Sequence, residues 1–232
     1  INPNNPTGAV YDKALLQEVV EVAREHGLVV FSDEIYDKIL YDEAQHTSIA
    51  SLADDVFFVT FGGLSKNYRV AGFRSGWLVV SGNKRLASDY IDGLNILSSM
   101  RMCANVPCQS AIQTALGGYQ SINDLVNENG RLRIQRDVTT DMLNGIDGIS
   151  CVKPKGAMYC FAKVDEKKFN IHNDEQMVLD LLSSEKILLV HGRAFNLTEG
   201  TYFRLVFLPH SDVLVPALHR IGNFFRTYKQ GA

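Results

Sequence analysis

The chain has 232 residues, of which 46% are apolar and 21% are charged, values that are ordinary for a globular protein. The formal net charge of −3 and the isoelectric point near 6.1 give no basic footprint for nucleic acid. No apolar run approaches the roughly 20 residues that a membrane-spanning helix needs. The length fits one large domain, or one domain and a smaller one.

The first third of the chain alternates between helix and strand patterns. Residues 12–26 predict an amphipathic helix that is capped by Asp12 and ended by Gly27. Its apolar stripe consists of Leu15, Leu16, Val19, Val20, Val22 and Ala23. Short apolar runs near residues 28–33, 56–61 and 76–82 predict three buried strands. A helix followed by strands with short connections predicts an α/β layered fold.

The rest of the chain first becomes helical and then changes to a mixed pattern. A helix is predicted over 106–116, and one long helix over 122–146 with a weak point at Gly130. From residue 149 an α+β unit is predicted, with strand–turn–strand over 149–164, a helix over 174–186, strands over 187–192 and 202–208, and a helix over 213–228. We therefore predict two domains, residues 1–128 and 129–232.

The cysteines and histidines form no recognisable metal or disulfide pattern. The four cysteines are Cys103, Cys108, Cys151 and Cys160, and no two of them form a CxxC pair. They predict reduced thiols in a cytoplasmic protein. The six histidines are scattered, without an HExxH motif, so we expect no metal site.

The segment FGGLSKNYRVAGFRSGW, residues 61–77, places Lys66 in a glycine-rich loop. A solvated surface charge is the plain alternative. An ammonium group with a pKa near about 10.4 is a poor nucleophile unless it forms a Schiff base with an aldehyde cofactor or its neighbours lower that pKa. Sites for pyridoxal 5′-phosphate (PLP) combine such a lysine with a carboxylate facing the ring nitrogen and with cationic or amide groups on the phosphate.

Other side chains of the sequence could complete such a site, each with a structural alternative. Asp33 and Tyr36 follow a predicted strand, where open α/β sheets bind ligands, but they also fit a turn and a half-buried aromatic. Arg74 could hold the phosphate or form a salt bridge. Asn5 lies in NPNNPTG, a typical turn sequence. Arg204 lies in the apolar strand YFRLVFL and needs a partner, either a substrate carboxylate or an internal acid.

The segments NPNNPTG, SDEIYDKILY, LSKNYRVAGFRSGW and FRLVFLP together resemble the signature blocks of class I/II PLP-dependent aminotransferases of fold type I. The resemblance covers nearly all of the chain and is strongest to the bacterial glutamate–pyruvate (alanine) aminotransferases. It implies that residues 1–128 are the C-terminal part of a large PLP-binding domain with a mostly parallel sheet. Residues 129–232 would be a small α+β domain. It also implies a cytoplasmic homodimer that exchanges an amino group between an amino acid, alanine, and a 2-oxo acid, 2-oxoglutarate or pyruvate.

The resemblance implies cofactor roles for six residues, of which Asn5 also belongs to the substrate site. Lys66 would be the Schiff-base lysine and then the base that moves the proton between Cα and C4′. Asp33 would pair with the pyridinium nitrogen, and Tyr36 would contact the phenolic oxygen of the ring. Ser65 and Arg74 would contact the phosphate.

The resemblance also implies a substrate site and contains one departure. Asn5 would contact the ring oxygen and assist Arg204 in holding the substrate α-carboxylate, and the Asn5–Pro6 bond would be cis. Many relatives have a phosphate-binding serine three residues before the lysine, where this sequence has Gly63. A backbone N–H group would have to replace that serine hydroxyl.

The chain begins with Ile1, directly at its first motif, and family members are longer, so we expect a piece of a longer chain. Such a piece would lack the phosphate loop, a stacking aromatic and a tyrosine from the partner subunit, and we expect it to bind PLP poorly and to be inactive. Alternatives for the parent are a PLP-dependent β-lyase on the same fold and the ligand-sensing domain of a transcription regulator. A fragment with structural value only is a further alternative for the polypeptide as it stands.

Overall fold

The computed structural model describes residues 1–102 and 105–231. By contacts between residues, the chain divides into two compact units. The first contains Ile1–Pro3 and Val10–Asn123, and the second contains Asn4–Ala9 and the residues from Asp124 onward. This division concerns compactness alone, and the functional domains 1–128 and 129–232 stay a prediction.

The first unit contains a three-stranded sheet in the order β1-β2-β3. Its strands are β1 (Val29–Asp33), β2 (Phe57–Gly63) and β3 (Gly76–Gly82), which confirms the positions of the three predicted strands. The prediction that all three are buried is wrong, because β2 alone has a run of buried residues, while most residues of β1 and β3 are exposed or half-buried. Strand β1 is parallel to β2, with Asp33 opposite Phe61, and β3 is antiparallel to β2. The carboxyl ends of β1 and β2 therefore lie at the same end of the sheet.

Helix α1 (Lys13–Glu25) begins where the sequence predicts, because the Asp12 carboxylate accepts a hydrogen bond from the Leu15 N–H at 2.9 Å. Only one half of its predicted apolar stripe is buried. Leu16, Val20 and Ala23 pack into a core with Ile49, Val56 and Phe58. Leu15, Val19 and Val22 are 43–51% exposed. At 100° per residue the six positions cover an arc of about 160°, which is wider than the contact with this core.

The long helix predicted over residues 122–146 is wrong. The structure has two helices there, α4 (Asn123–Val126) and α5 (Arg131–Asn144), after α2 (Ser88–Arg101) and the correctly predicted α3 (Val106–Gly117). Gly130 is extended, with φ −71° and ψ 138°, and acts as the N-cap of α5. The chain turns back so closely that a Cβ at Gly130 would lie 2.4 Å from the Leu125 backbone. The glycine is therefore a helix break rather than a weak point.

The second unit contains an antiparallel sheet in the order β4-β5-β7-β6. Its strands are β4 (Ile149–Cys151), β5 (Tyr159–Val164), β6 (Val190–His191) and β7 (Thr201–Val206), and its further helices are α6 (Glu166–Phe169), α7 (Asp174–Glu185) and α8 (Ser211–Thr227). The strand predicted over 187–192 is shorter than expected, because β6 is an edge strand whose last residue leads directly into a 3-10 helix, Gly192–Phe195.

Strand β7 alternates between a buried and a half-buried face. Thr201, Phe203 and Leu205 are buried, while Tyr202, Arg204 and Val206 are half-buried. On the buried side the Phe203 ring stacks on Phe225 of α8, with the ring centres 6.2 Å apart. Arg204 therefore lies on the more accessible face of an otherwise apolar strand.

Three observations concern the classes of site considered above. No helix within the described ranges is both long enough and apolar enough to cross a membrane. Residues 1–102 and 105–231 contain no group of three or more histidine, cysteine, aspartate or glutamate side chains placed to hold a metal. Cys108, Cys151 and Cys160 are free thiols, and Cys103 lies outside the described residues.

Candidate active site

Asp33 is fixed at the carboxyl end of β1. Its Oδ1 accepts a hydrogen bond from the Ile35 N–H at 3.1 Å, and its carbonyl oxygen accepts from the Asn2 N–H at 3.0 Å. The next residue, Glu34, donates its N–H to the Phe61 carbonyl of β2 at 2.9 Å. The main chain is therefore held on both sides of a half-buried carboxylate.

The loop of residues 64–75 connects β2 to β3 and carries three predicted cofactor residues. Ser65 and Lys66 are half-buried directly after β2, and Arg74 is exposed just before β3. The Arg74 Nη1 donates to the Ala71 carbonyl at 2.8 Å. Because the loop leaves β2 at its carboxyl end, it lies at the same end of the sheet as Asp33. Whether these groups surround one ligand stays a prediction.

Asn67 connects the lysine loop to the turn that follows Asp33. It is only 4% exposed. Its Nδ2 donates to the Asp37 carboxylate, and its Oδ1 accepts from the Lys38 N–H at 3.4 Å. The side chain next to Lys66 therefore limits how far the lysine can move relative to β1. The sequence does not predict this role of Asn67, because it shows only that a polar residue lies beside Lys66.

Two tyrosines of the first unit lie in the segments that follow β1 and β2. Tyr36, a predicted cofactor residue, is 3% exposed and lies in the turn after β1. Burial, followed by the negative charge of Asp37, raises the pKa of Tyr68. The Tyr68 hydroxyl is buried, and the described part of the chain offers it no hydrogen-bond partner. The phenol of Tyr68 is therefore neutral at physiological pH.

Gly63, where the resemblance to the family implies a serine, has little room for a side chain. A Cβ there would lie 3.2 Å from Cδ1 of Ile35 and 3.3 Å from the carbonyl oxygen of Ser75. Contacts of that length require the neighbours to shift. In this chain a side chain at position 63 is therefore not available to hold a phosphate.

Arg204 and Asn5, the predicted substrate residues, are in contact within the second unit. The Arg204 Nη1 donates to the Asn5 Oδ1 at 2.9 Å. The guanidinium carbon lies 4.6 Å from the ring centre of Tyr159 and 4.9 Å from that of Phe195. The buried Nε of Arg204 has no hydrogen-bond partner within the described ranges. An internal acid, the alternative considered for Arg204, does not pair with it among the residues that the structure describes.

The loop that carries Asn5 is fixed by its glycine. The Asn5–Pro6 bond is cis, which confirms the expectation. Gly8 has φ +68°, and its carbonyl oxygen accepts two hydrogen bonds of 2.9 Å from the N–H groups of residues 155 and 156. A Cβ at Gly8 would lie 2.5 Å from the Cβ of Pro154. Glycine is therefore required for this loop to hold Asn5 against Arg204.

A comparison with known proteins shows the family of the chain. The family described as aminotransferase class I and II matches residues 1–221. The chain belongs to this family. The aminotransferase class I and II family is generally PLP-dependent.

Relatives with aminotransferase names match almost the whole chain. The glutamate-pyruvate aminotransferase AlaA of Haemophilus influenzae is 60% identical over 230 residues, which are 99% of this chain and 57% of the relative. An alanine aminotransferase of Mycobacterium tuberculosis is 55% identical over 99% of this chain and 54% of its own length. The chain thus spans just over half the length of the curated relatives it matches.

Solved structures of aminotransferases have the same fold. An aminotransferase from Escherichia coli superposes with a TM-score of 0.97 at 58% identity and covers 99% of this chain and 57% of its own. The alanine aminotransferase from Pyrococcus furiosus has a TM-score of 0.89 at 37% identity, over 97% of this chain and 56% of its own. The predicted fold, a part of the fold type I architecture, is confirmed.

Proposed function

We propose that the protein to which this chain belongs is a PLP-dependent aminotransferase that exchanges an amino group between alanine and a 2-oxo acid, 2-oxoglutarate or pyruvate. The observation that carries the proposal is that Asp33, Lys66 and Arg74 all lie at one end of the three-stranded sheet. The names of the relatives support the substrate pair.

The residues of the first unit would perform the cofactor chemistry. When bound, PLP supplies an electron sink that stabilises negative charge at the substrate Cα. The Asp33 carboxylate would hold a proton on the pyridine nitrogen, and the Arg74 guanidinium and Ser65 hydroxyl would bind the phosphate. The Lys66 amine would be the covalent attachment point and would also serve as the base that moves the proton to and from Cα. Tyr36 would contact the phenolic oxygen of the ring.

Arg204 would bind the α-carboxylate that both substrates share. Because Asn5 occupies only Nη1, and the rings of Tyr159 and Phe195 fix the plane of the guanidinium, the remaining N–H groups are preorganised for two parallel hydrogen bonds. The contact of Asn5 with the ring oxygen, a homodimeric assembly and a cytoplasmic location stay predictions.

The proposal can be tested in a chimaera in which this chain replaces the matching 230 residues of the Haemophilus relative. We expect alanine–2-oxoglutarate transamination that disappears in Lys66→Ala and is unchanged in Lys84→Ala, a matched exposed lysine. Arg204→Leu should raise KM for both substrates. Retained turnover in Lys66→Ala would contradict the proposal. Pyruvate and a thiol released from a cysteine thioether, without transamination of alanine, would show a β-lyase instead.

A further inference from the structure

The second unit contains a cavity between the end of α5 and helix α8. Its volume is about 470 Å³, which lies in the range of small-molecule sites. Its floor is apolar and consists of Met142, Ile146, Leu218 and Phe225. Leu218 and Phe225 are almost fully buried and therefore belong to the fixed core. A preformed apolar floor of this kind favours an apolar side chain in the ligand.

The rim of the cavity carries charges of both signs. Lys168 forms an ion pair with Asp147, an exposed carboxylate that lies just beyond the C-terminal end of α5, where the helix dipole adds partial negative charge. Arg226 lines the same cavity and donates to the Asn223 Oδ1 at 2.9 Å. The rim therefore offers cations to a carboxylate and negative charge to an ammonium group.

Gly222 keeps the cavity open from within α8. Glycine is the least favourable residue except proline in a helix interior, and Gly222 lies well inside Ser211–Thr227. Packing does not require it, because a Cβ there would meet Ile146 at 3.5 Å, an ordinary contact distance. A glycine at this position preserves space that a larger side chain would fill.

We infer that this cavity binds a free α-amino acid with an apolar side chain. The side chain lies on the floor, the carboxylate pairs with Lys168 and Arg226, and the ammonium group pairs with Asp147. This inference concerns a site formed without Arg204 or Lys66, and it does not rest on the proposed aminotransferase activity.

The test measures binding by calorimetry to this chain carrying Arg204→Leu and without added PLP, so that the proposed substrate site takes no carboxylate. The first probe, L-norleucine, has both charged groups and an apolar side chain. Each of the other three lacks one of these features: hexanoate lacks the ammonium group, pentylamine lacks the carboxylate, and glycine lacks the apolar side chain. We expect norleucine to bind about tenfold more tightly than hexanoate or pentylamine, the ratio that corresponds to one charged contact, and at least about tenfold more tightly than glycine, which buries no apolar side chain. Equal affinities, or no binding of norleucine, would overturn the inference and leave the proposed function untouched.

Three further variants in the same background locate the binding. Asp147→Asn should weaken norleucine about tenfold and tighten hexanoate, because it releases Lys168 and removes the partner of the ammonium. Gly222→Leu should abolish binding, with helix content checked by circular dichroism. If that variant does not fold, Arg226→Gln takes its place as the test, and we expect it to weaken norleucine binding about tenfold. Norleucine affinity that none of these changes alters would overturn the inference.

Discussion

The contact between Asn67 and Asp37 should contribute measurably to the stability of the first unit. Asn67→Ala removes a hydrogen bond to a carboxylate, worth about 1.5–3 kcal/mol, and a longer one of 3.4 Å to the Lys38 N–H. Because Asn67 is 4% exposed, water cannot fully replace these partners. We expect Asn67→Ala to lower the free energy of unfolding by about 2–3 kcal/mol.

A double-mutant cycle with Asp37→Ala isolates this contact. Urea unfolding can be followed by the fluorescence of Trp77, the single tryptophan of the sequence, which lies on β3 of the first unit. We expect a coupling energy of about 1–2 kcal/mol between the two substitutions. The exposed Asn95→Ala serves as the control and should change stability by no more than about 0.5 kcal/mol. A coupling energy below about 0.3 kcal/mol would refute the view that this pair anchors the lysine loop.

Two further substitutions test the second unit. Gly8→Ala should destabilise it by about 2–3 kcal/mol, because φ is +68° and the new methyl group would meet Pro154 at 2.5 Å; unchanged thermal unfolding by circular dichroism would contradict this. Burial, and then the hydrogen bond to Asp180, raise the pKa of Tyr228 above its ordinary 10.0. The neutral phenol therefore stabilises the fold below about pH 10, and this contribution is lost as the pH rises through the folded-state pKa. Tyr228→Phe should reduce the loss of urea resistance between about pH 8 and about pH 11, and an equal loss in both proteins would contradict the assignment.

The sequence predicted an element correctly where specific residues mark its two ends. Helix α1 has a capping aspartate before it and a glycine after it. In the structure Asp12 caps the first turn, and Gly27 adopts a positive φ just beyond the last turn. The helix predicted over 122–146 failed because periodicity alone does not show that the chain folds back at Gly130, where backbone contacts exclude a Cβ. The strand predicted over 187–192 is too long, because an apolar run does not show how many of its residues pair with a neighbouring strand.

The candidate site could be predicted where its residues belong to contiguous motifs. Lys66, Arg74 and Asp33 are each marked by the segments around them. The rings that hold Arg204 could not be found in this way, because Tyr159 and Phe195 come from separate elements and are ordinary core residues by composition. The same holds for Asn67 and Asp37, which lie 30 residues apart and meet only through the pairing of β1 with β2.

We propose that Lys66 is the lysine at which this chain attaches PLP. The most direct measurement is to incubate the chain with excess PLP, reduce the imine with borohydride and map the labelled peptides by mass spectrometry. We expect the label to concentrate on Lys66 and Asp33→Ala to reduce this preference over the exposed Lys84. Label distributed over the surface lysines, with Lys66 no more reactive than Lys84, would contradict it.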